Sequence, residues 1–260
     1  MILKQTADLN QKPKRIISLV PSQTALLAHW ELTNEVVGIT KFCIHPTVWH
    51  TEKEKIGGTK NINIPKIISL QPDLIIANKE ENVQSQVELL AKDFPVWVTD
   101  VNDLSGALDM IQDLGHLVKK EQAALNLIED IHTQFEQLKQ LENLLRVCYL
   151  IWKDPFMTVG KDTFIHDMLQ TAGYKNAFDN CNRYPEVSIT EIASAKPDVI
   201  FLSSEPYPFS NKHIQELNQY FQNIPIVLVD GEKFSWYGSH LLQSPAYFNA
   251  LLQIIVDKHA

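Results

Sequence analysis

The stretch Ile64-Pro-Lys-Ile-Ile-Ser-Leu-Gln-Pro-Asp-Leu-Ile-Ile76 recurs in outline as Ile189-Thr-Glu-Ile-Ala-Ser-Ala-Lys-Pro-Asp-Val-Ile-Phe201. Ile, Ile, Ser, Pro-Asp and Ile return at matching places. Each copy reads as a short helix, a Pro-Asp turn and a buried apolar strand. The match continues downstream, where Phe94-Pro-Val-Trp-Val98 answers Ile224-Pro-Ile-Val-Leu228. Two lobes built from one template are therefore expected.

The flanks of each copy fit that reading. Ahead of the first lie the strand Arg15-Ile-Ile-Ser-Leu-Val20, a helix capped by Ser22, the strand Val36–Thr40, and a loop, Lys41-Phe-Cys-Ile-His-Pro-Thr-Val-Trp-His50. Lys55–Lys60 is strand-like, and Asn82–Asp93 reads as an amphipathic helix. Ahead of the second copy lie the strand Val147–Trp152 and a helix capped by Asp162. After it come the helix Asn211–Phe221, the strand Ile226–Val229 and a final helix opened by Ser244-Pro245. Strands alternating with helices imply parallel βα units, whose ligands gather at the carboxyl ends of the strands.

Between the copies runs Asp103–Leu145, free of proline. Ile128, Ile131, Phe135, Leu138 and Leu141 step by three or four, the period of one helix face. Leu104 to about Leu114 is expected to close the first lobe. Val118 to about Leu141 is expected to form a connecting helix of some 25 residues, about 38 Å long, with the break at Gly115-His116. The expected architecture is α/β: two Rossmann-like βα lobes joined by a single long backbone helix, with a ligand cleft between the lobes. The boundaries are 14–103 for the first lobe, 104–145 for the closing and connecting helices, and 146–260 for the second lobe.

Composition narrows the function. The 45% hydrophobic content supports a real core. Lys+Arg 23 against Asp+Glu 31 gives −8 and no basic run, which argues against nucleic acid as a partner. The first residues, Met1-Ile-Leu-Lys-Gln-Thr-Ala-Asp, show no secretory signal, so a cytoplasmic location is expected if the chain is complete. Cys43, Cys148 and Cys181 are widely separated and make no disulfide framework. No G-x-S-x-G elbow, S-x-x-K, H-E-x-x-H or C-x-x-C occurs, and Gly57-Gly-Thr-Lys60 lacks the phosphate-loop spacing. An enzyme is not expected.

Arg15-Ile-Ile-Ser-Leu-Val-Pro-Ser22, Ile56-Gly-Gly58 and the two repeats resemble the helical-backbone metal receptors. These are substrate-binding proteins of ABC importers for cobalamin, haem and ferric siderophores. The resemblance covers about residues 14–257 and is closest to the cobalamin-binding branch. It implies a chain that captures a bulky metal-bearing ligand (a corrinoid, ferric siderophore or haem) between its lobes for uptake, without a covalent cofactor. It also implies a periplasmic or cell-envelope setting, an importer permease as partner, and a monomer. The alternative is a cytoplasmic metal or tetrapyrrole carrier or sensor not coupled to an importer.

The resemblance places Lys41–His50, Thr59-Lys60, Trp152–Met157, Tyr184-Pro185 and Phe234–Gly238 at the ligand site. The same segments gather aromatic and polar residues in loops, where flat rings can cover a ligand. The predicted ligand-binding residues are Phe42, His45, Trp49, Thr59, Lys60, Trp152, Phe156, Tyr184, Glu205, Phe234, Trp236 and Tyr237. Phe42 and Tyr184 fall where the cobalamin branch uses aromatics, and Thr59 falls where it has a tryptophan. His45 and His166 are candidates for direct metal ligation. The two glutamates that importer-coupled members present to permease arginines fall at Pro65 and Thr190, next to Lys66 and Glu191.

Overall fold

The computed structural model describes residues 1–3, 5–9, 11–139 and 144–259. The chain divides into two compact units. The first comprises Met1–Val101, Ser105–Ile131 and Tyr237–His240; the second comprises Asn102–Leu104, His132–Trp236 and Leu241–Ala260.

The first unit contains β1 (Ile16–Ser18), α1 (Pro21–His29), β2 (Val36–Ile39), α2 (Thr47–Glu52) and β3 (Glu54–Lys55). It continues through α3 (Ile64–Leu70), β4 (Leu74–Asn78), α4 (Gln84–Leu90), β5 (Val96–Thr99) and α5 (Leu104–Leu117). Its sheet runs β3-β2-β1-β4-β5, and every pairing is parallel. All residues of β1 and β4 are buried, as parallel strands covered on both faces require. Ile17, Ile67, Ile75, Val96 and Leu90 form its core.

Next comes α6 (Glu121–Phe135), within which the chain passes from the first unit to the second. The second unit holds β6 (Leu145–Trp152), β7 (Met157–Thr158), α7 (Phe164–Thr171), β8 (Tyr174–Asn176), α8 (Ile189–Ser194) and β9 (Val199–Ser203). It ends with α9 (Asn211–Leu217), β10 (Ile226–Val229), α10 (Glu232–Ser235) and α11 (Ser244–His259). The sheet order is β10-β9-β6-β7, with β8 also on β6. All pairs are parallel except β6 with β7.

The repeat extends to individual contacts. Gln71 and Lys196, each just before the Pro-Asp pair, are left-handed at φ 46° and 47°. Asp73 then accepts from the Arg15 N–H at 2.8 Å, and Asp198 from the Arg146 N–H at 2.7 Å. The same arginines close the preceding helices. Arg15 Nε donates to Leu70 O at 2.8 Å, and Arg146 Nε to Ala195 O at 2.7 Å. Each Pro-Asp turn thus ties the end of a helix to the strand that opens its lobe.

Asp103–Leu145 corrects the expected long helix. α5 continues through Gly115 to Leu117, and the break falls at Val118–Lys120, with Lys119 at φ 58°. Gly115 is there for close packing: a Cβ on it would lie 2.4 Å from Ala124 Cβ. α6 has 15 residues, about 22 Å at 1.5 Å each. Past its end, Asn249 of α11 takes the freed backbone, donating to Gln137 O at 3.0 Å and accepting from Lys139 N–H at 2.9 Å. Leu141, the expected end of the helix, lies outside the described residues. The Lys41–His50 segment also differs from its reading as a loop, since α2 begins at Thr47.

Candidate functional site

In the first lobe the predicted residues follow β2 and β3. Phe42 is 51% exposed, and a Cβ on Gly58 would lie 3.2 Å from its Cε2. The glycine therefore lets the ring lie against the backbone. Lys41 Nζ stands 5.0 Å from the ring centroid. Cys43, next in sequence, is fully buried and anchors the loop, its thiol 3.1 Å from Thr24 Oγ1 and 3.2 Å from Thr40 Oγ1. His50 Nδ1 donates to Cys43 O at 3.1 Å.

One further histidine stands beside the metal candidate His45. His240, expected with the second lobe, groups with the first. Its ring centroid lies 5.5 Å from that of His45, at an interplanar angle of 46°. Ring nitrogens of the two lie within 4.8 Å, close enough to share a transition cation. His166, the other metal candidate, belongs to the second unit and does a structural job. Asn176 Nδ2 donates to its Nδ1 at 3.1 Å, and its backbone N–H reaches the Thr163 hydroxyl at 3.2 Å. Among the described residues His166 joins no group of three metal-ligating side chains.

Several predicted ligand residues turn out to be core. Trp49 is 2% exposed, with Nε1 donating to Thr33 Oγ1 at 3.3 Å. It lies on the inner side of α2, which the loop reading missed. Phe234 is fully buried on α10, its ring 4.7 Å from Phe248 and 5.2 Å from Tyr149. Trp236 is buried too. Tyr237 is buried with its hydroxyl bonded to the Ser22 and Thr99 side chains, and burial pushes that hydroxyl far above the usual tyrosine range. From sequence these aromatics read as loop residues, and only the tertiary fold turns them inward.

Thr59 and Lys60 lie beside the loop that follows β4. Thr59 is buried, and its carbonyl accepts from Asn82 Nδ2 at 3.1 Å. Lys60 is exposed, with its ammonium donating to Glu80 O. Glu81 in the same loop is half-buried and accepts from the Thr59 hydroxyl. Burial, the largest effect, and the charge of Glu80 push its carboxyl up, against the pull of Lys60. Glu81 is not among the residues predicted from the sequence. Its signal was position, since it follows a strand at the carboxyl edge where α/β ligands bind.

In the second lobe an aromatic group stands at the carboxyl end of β6. Trp152 is 40% exposed, its ring edge-to-face on Tyr207 at 5.6 Å. Tyr207 packs on Phe209 at 4.8 Å and on His213 at 5.4 Å. His213 is almost fully buried and holds this group to α9. Its Nδ1 accepts from Ser210 N–H at 2.9 Å, so Nε2 carries the proton and donates to the Tyr207 hydroxyl at 3.3 Å. Burial, then the charges of Lys212 and Lys153, hold its imidazole below the ordinary histidine value.

The other predicted residues of this lobe are less exposed than Trp152. Phe156 is half-buried against the core around Val187 and Phe209. Tyr184 is half-buried under Arg183, whose Cζ is 5.6 Å from the ring centroid. Glu205 accepts from Ser235 Oγ at 2.6 Å. A Cβ on Gly231 would come within 2.7 Å of Glu205 Cγ, so the glycine admits this loop. A depression of about 300 Å³ elsewhere in the first lobe is lined by Trp30, Lys120 and Leu127 and by none of the predicted residues.

Pro65 and Thr190, the positions the resemblance links to permease docking, lie in the first turns of α3 and α8. Beside Pro65, Lys66 Nζ pairs with Glu54 at 2.5 Å. Beside Thr190, the Glu191 carboxylate caps its own helix, accepting from the Ser188 N–H and hydroxyl, both at 2.7 Å. Both charged neighbours are thus engaged within their lobes.

Known proteins share this fold. The vitamin B12-binding protein of Vibrio vulnificus is 29% identical over 217 residues, covering 81% of this chain and 78% of its own. The crystal structure of the periplasmic vitamin B12-binding protein BtuF of Vibrio cholerae superposes with a TM-score of 0.75 at 24% identity. It covers 94% of this chain and 98% of its own. The periplasmic haem-binding protein HutB of Vibrio cholerae gives 0.78 at 19% identity, over 92% and 98%. These relatives are binding proteins. The profile of the periplasmic binding protein family matches residues 16–227, and the chain belongs to that family.

Proposed function

We propose that this chain is the substrate-binding component of an ABC-type importer and that its ligand is a bulky metal-bearing compound of the corrinoid, ferric-siderophore or haem type. The observation that carries this reading is the pair of exposed aromatics at the strand carboxyl ends: Phe42 at 51% and Trp152 at 40% exposure. Each is backed by packing that holds its ring in place, Gly58 in one lobe and Tyr207 in the other. Large rings held open to solvent at that edge suit a flat apolar ligand face. In this reading His45 and Lys60 of the first lobe and Tyr184 of the second add polar and aromatic contacts to the ligand. Trp49, Phe234, Trp236 and Tyr237 support the loops from inside.

The vitamin B12 named for the Vibrio vulnificus relative supports a corrinoid among these ligands. Neither Pro65 nor Thr190 offers a carboxylate, so in this reading a permease is engaged through other residues. Titration with cyanocobalamin, haemin and ferric siderophores, followed by tryptophan fluorescence, tests the proposal. Saturable one-to-one binding of at least one is expected. Phe42→Ala and Trp152→Ala should each weaken it about tenfold, as loss of a stacked ring does. Binding of none, or binding indifferent to both substitutions, would refute the reading.

A further inference from the structure

Glu81 is held with unusual care for a loop acid. Asn78, the last residue of β4, accepts from the Glu80 N–H at 2.8 Å and the Glu81 N–H at 3.1 Å through one side-chain oxygen. Asn82 closes the loop from its other end, accepting from Asn78 N–H at 2.8 Å and donating to Thr59 O at 3.1 Å. Gln86 adds a bond to Lys60 O at 3.2 Å and accepts from Ile62 N–H at 3.1 Å. Two amide side chains, Asn82 and Gln86, stitch the loops after β3 and β4 together, and a third, Asn78, shapes the β4 loop itself. The Glu81 carboxyl stands on that base, beside the Thr59 hydroxyl. It caps no helix, because α4 begins at Gln84 with Val83 as its N-cap.

The neighbours of Glu81 define what it can meet. Phe42 lies on Gly58, one residue before Thr59, so an exposed ring and a half-buried acid flank the same short segment. Of the nearby cations, Lys60 is held on the Glu80 carbonyl and Lys41 lies over the Phe42 ring. Glu80 adds a second negative charge. A ligand carboxylate arriving here would face an acid in a partly desolvated place, where two such groups cannot both stay ionised. A carboxamide meets no such conflict. An ionised Glu81 accepts its N–H, and a protonated Glu81 donates to its C=O.

Resting on the ligand class proposed above, we propose that Glu81 is a specificity-determining residue, favouring corrinoids, rimmed by carboxamides, over haem, rimmed by carboxylates. A site that places a hydrogen-bonding group against a ligand rejects the ligand that cannot satisfy it.

The full chain is titrated with cyanocobalamin and with haemin, and so are its Glu81→Gln and Glu81→Leu variants. Wild type is expected to bind cyanocobalamin at least tenfold more tightly than haemin. Glu81→Gln should keep cyanocobalamin affinity within about threefold and narrow the ratio about tenfold by strengthening haemin. Glu81→Leu should weaken cyanocobalamin about tenfold. Thermal unfolding of each variant checks that the loop survives. Should the leucine variant fail to fold, the glutamine variant alone decides. A wild-type preference for haemin, or an unchanged ratio in folded Glu81→Gln, overturns the role of Glu81 and leaves the ligand class standing. Binding of neither compound by wild type overturns the tetrapyrrole reading, and this proposal with it.

Discussion

Gly115 shows how one missing methyl can set a helix corner. It lies inside α5, where alanine would be the better helix former by about 1 kcal/mol. Against that gain stands a Cβ contact of 2.4 Å with Ala124 on α6, and such overpacking costs about 1–3 kcal/mol. The clash should win, so Gly115→Ala is expected to lower the unfolding midpoint. Gly115→Ala with Ala124→Gly should restore most of it, because volume and helix propensity are exchanged between the two positions. A single variant as stable as wild type would refute the packing role.

His213 gives a second residue-scale prediction, in the aromatic group that carries Trp152. Its imidazole is neutral in the fold, with Nδ1 accepting and Nε2 donating, and protonation would set a donor against the Ser210 N–H. Burial lowers its folded value. As pH falls through the ordinary histidine range the unfolded chain takes up the proton first, and stability drops. Above that range the contribution is fully present. Lys153, Lys212 and Glu216 face the same ring, and their charges act in both wild type and variant. Unfolding midpoints from about pH 7 to pH 5 should therefore fall more steeply for wild type than for His213→Gln. Parallel curves would show that His213 does not titrate in this window.

At the scale of elements, the Pro-Asp turns were readable because their determinants are local. A left-handed residue, a proline and an aspartate follow one another in each copy, and the aspartate bonds the strand that opens its lobe. The bond to the arginine N–H is common to both copies, with a second from the Lys14 N–H to Asp73 at 2.7 Å, so the substitutions should act alike in kind. Asp73→Ala and Asp198→Ala are each expected to cost about 1–2 kcal/mol, the value of hydrogen bonds to a charged acceptor at a partly exposed site. The double variant should show nearly the sum, since the two share no partner. Denaturant unfolding measures all three, and a loss confined to one copy would break the equivalence.

Other elements were not readable, for the converse reason. Just past the end of α6, Asn249, more than a hundred residues away, takes the backbone of Gln137 and Lys139. An apolar stripe continuing to Leu141 carries no trace of that. Trp152 and Phe234 look alike in sequence, each an aromatic near an element's edge. Yet Trp152 is 40% exposed while Phe234 is fully buried under Phe248 and Tyr149. Periodicity locates faces, but which loop aromatics turn inward is decided by packing against distant elements.

At the scale of the whole molecule, charge bears on ligand choice. The chain carries −8 at pH 7, a field that opposes an anionic ligand and leaves a neutral one unaffected. Cyanocobalamin is neutral overall, whereas haemin brings two carboxylates. Raising salt from about 0.01 M to 1 M shortens the Debye length from about 30 Å to 3 Å. That should remove the long-range repulsion but not the close contact at Glu81. Cyanocobalamin affinity is accordingly expected to stay within about twofold across this range, while haemin affinity rises. In Glu81→Gln the rise should persist, because the net charge changes by only one unit. Calorimetric titration at both salt concentrations separates the two effects. Haemin binding that weakens with salt would show an attraction to Lys41 or Lys60 outweighing the net field, and would refute the charge argument.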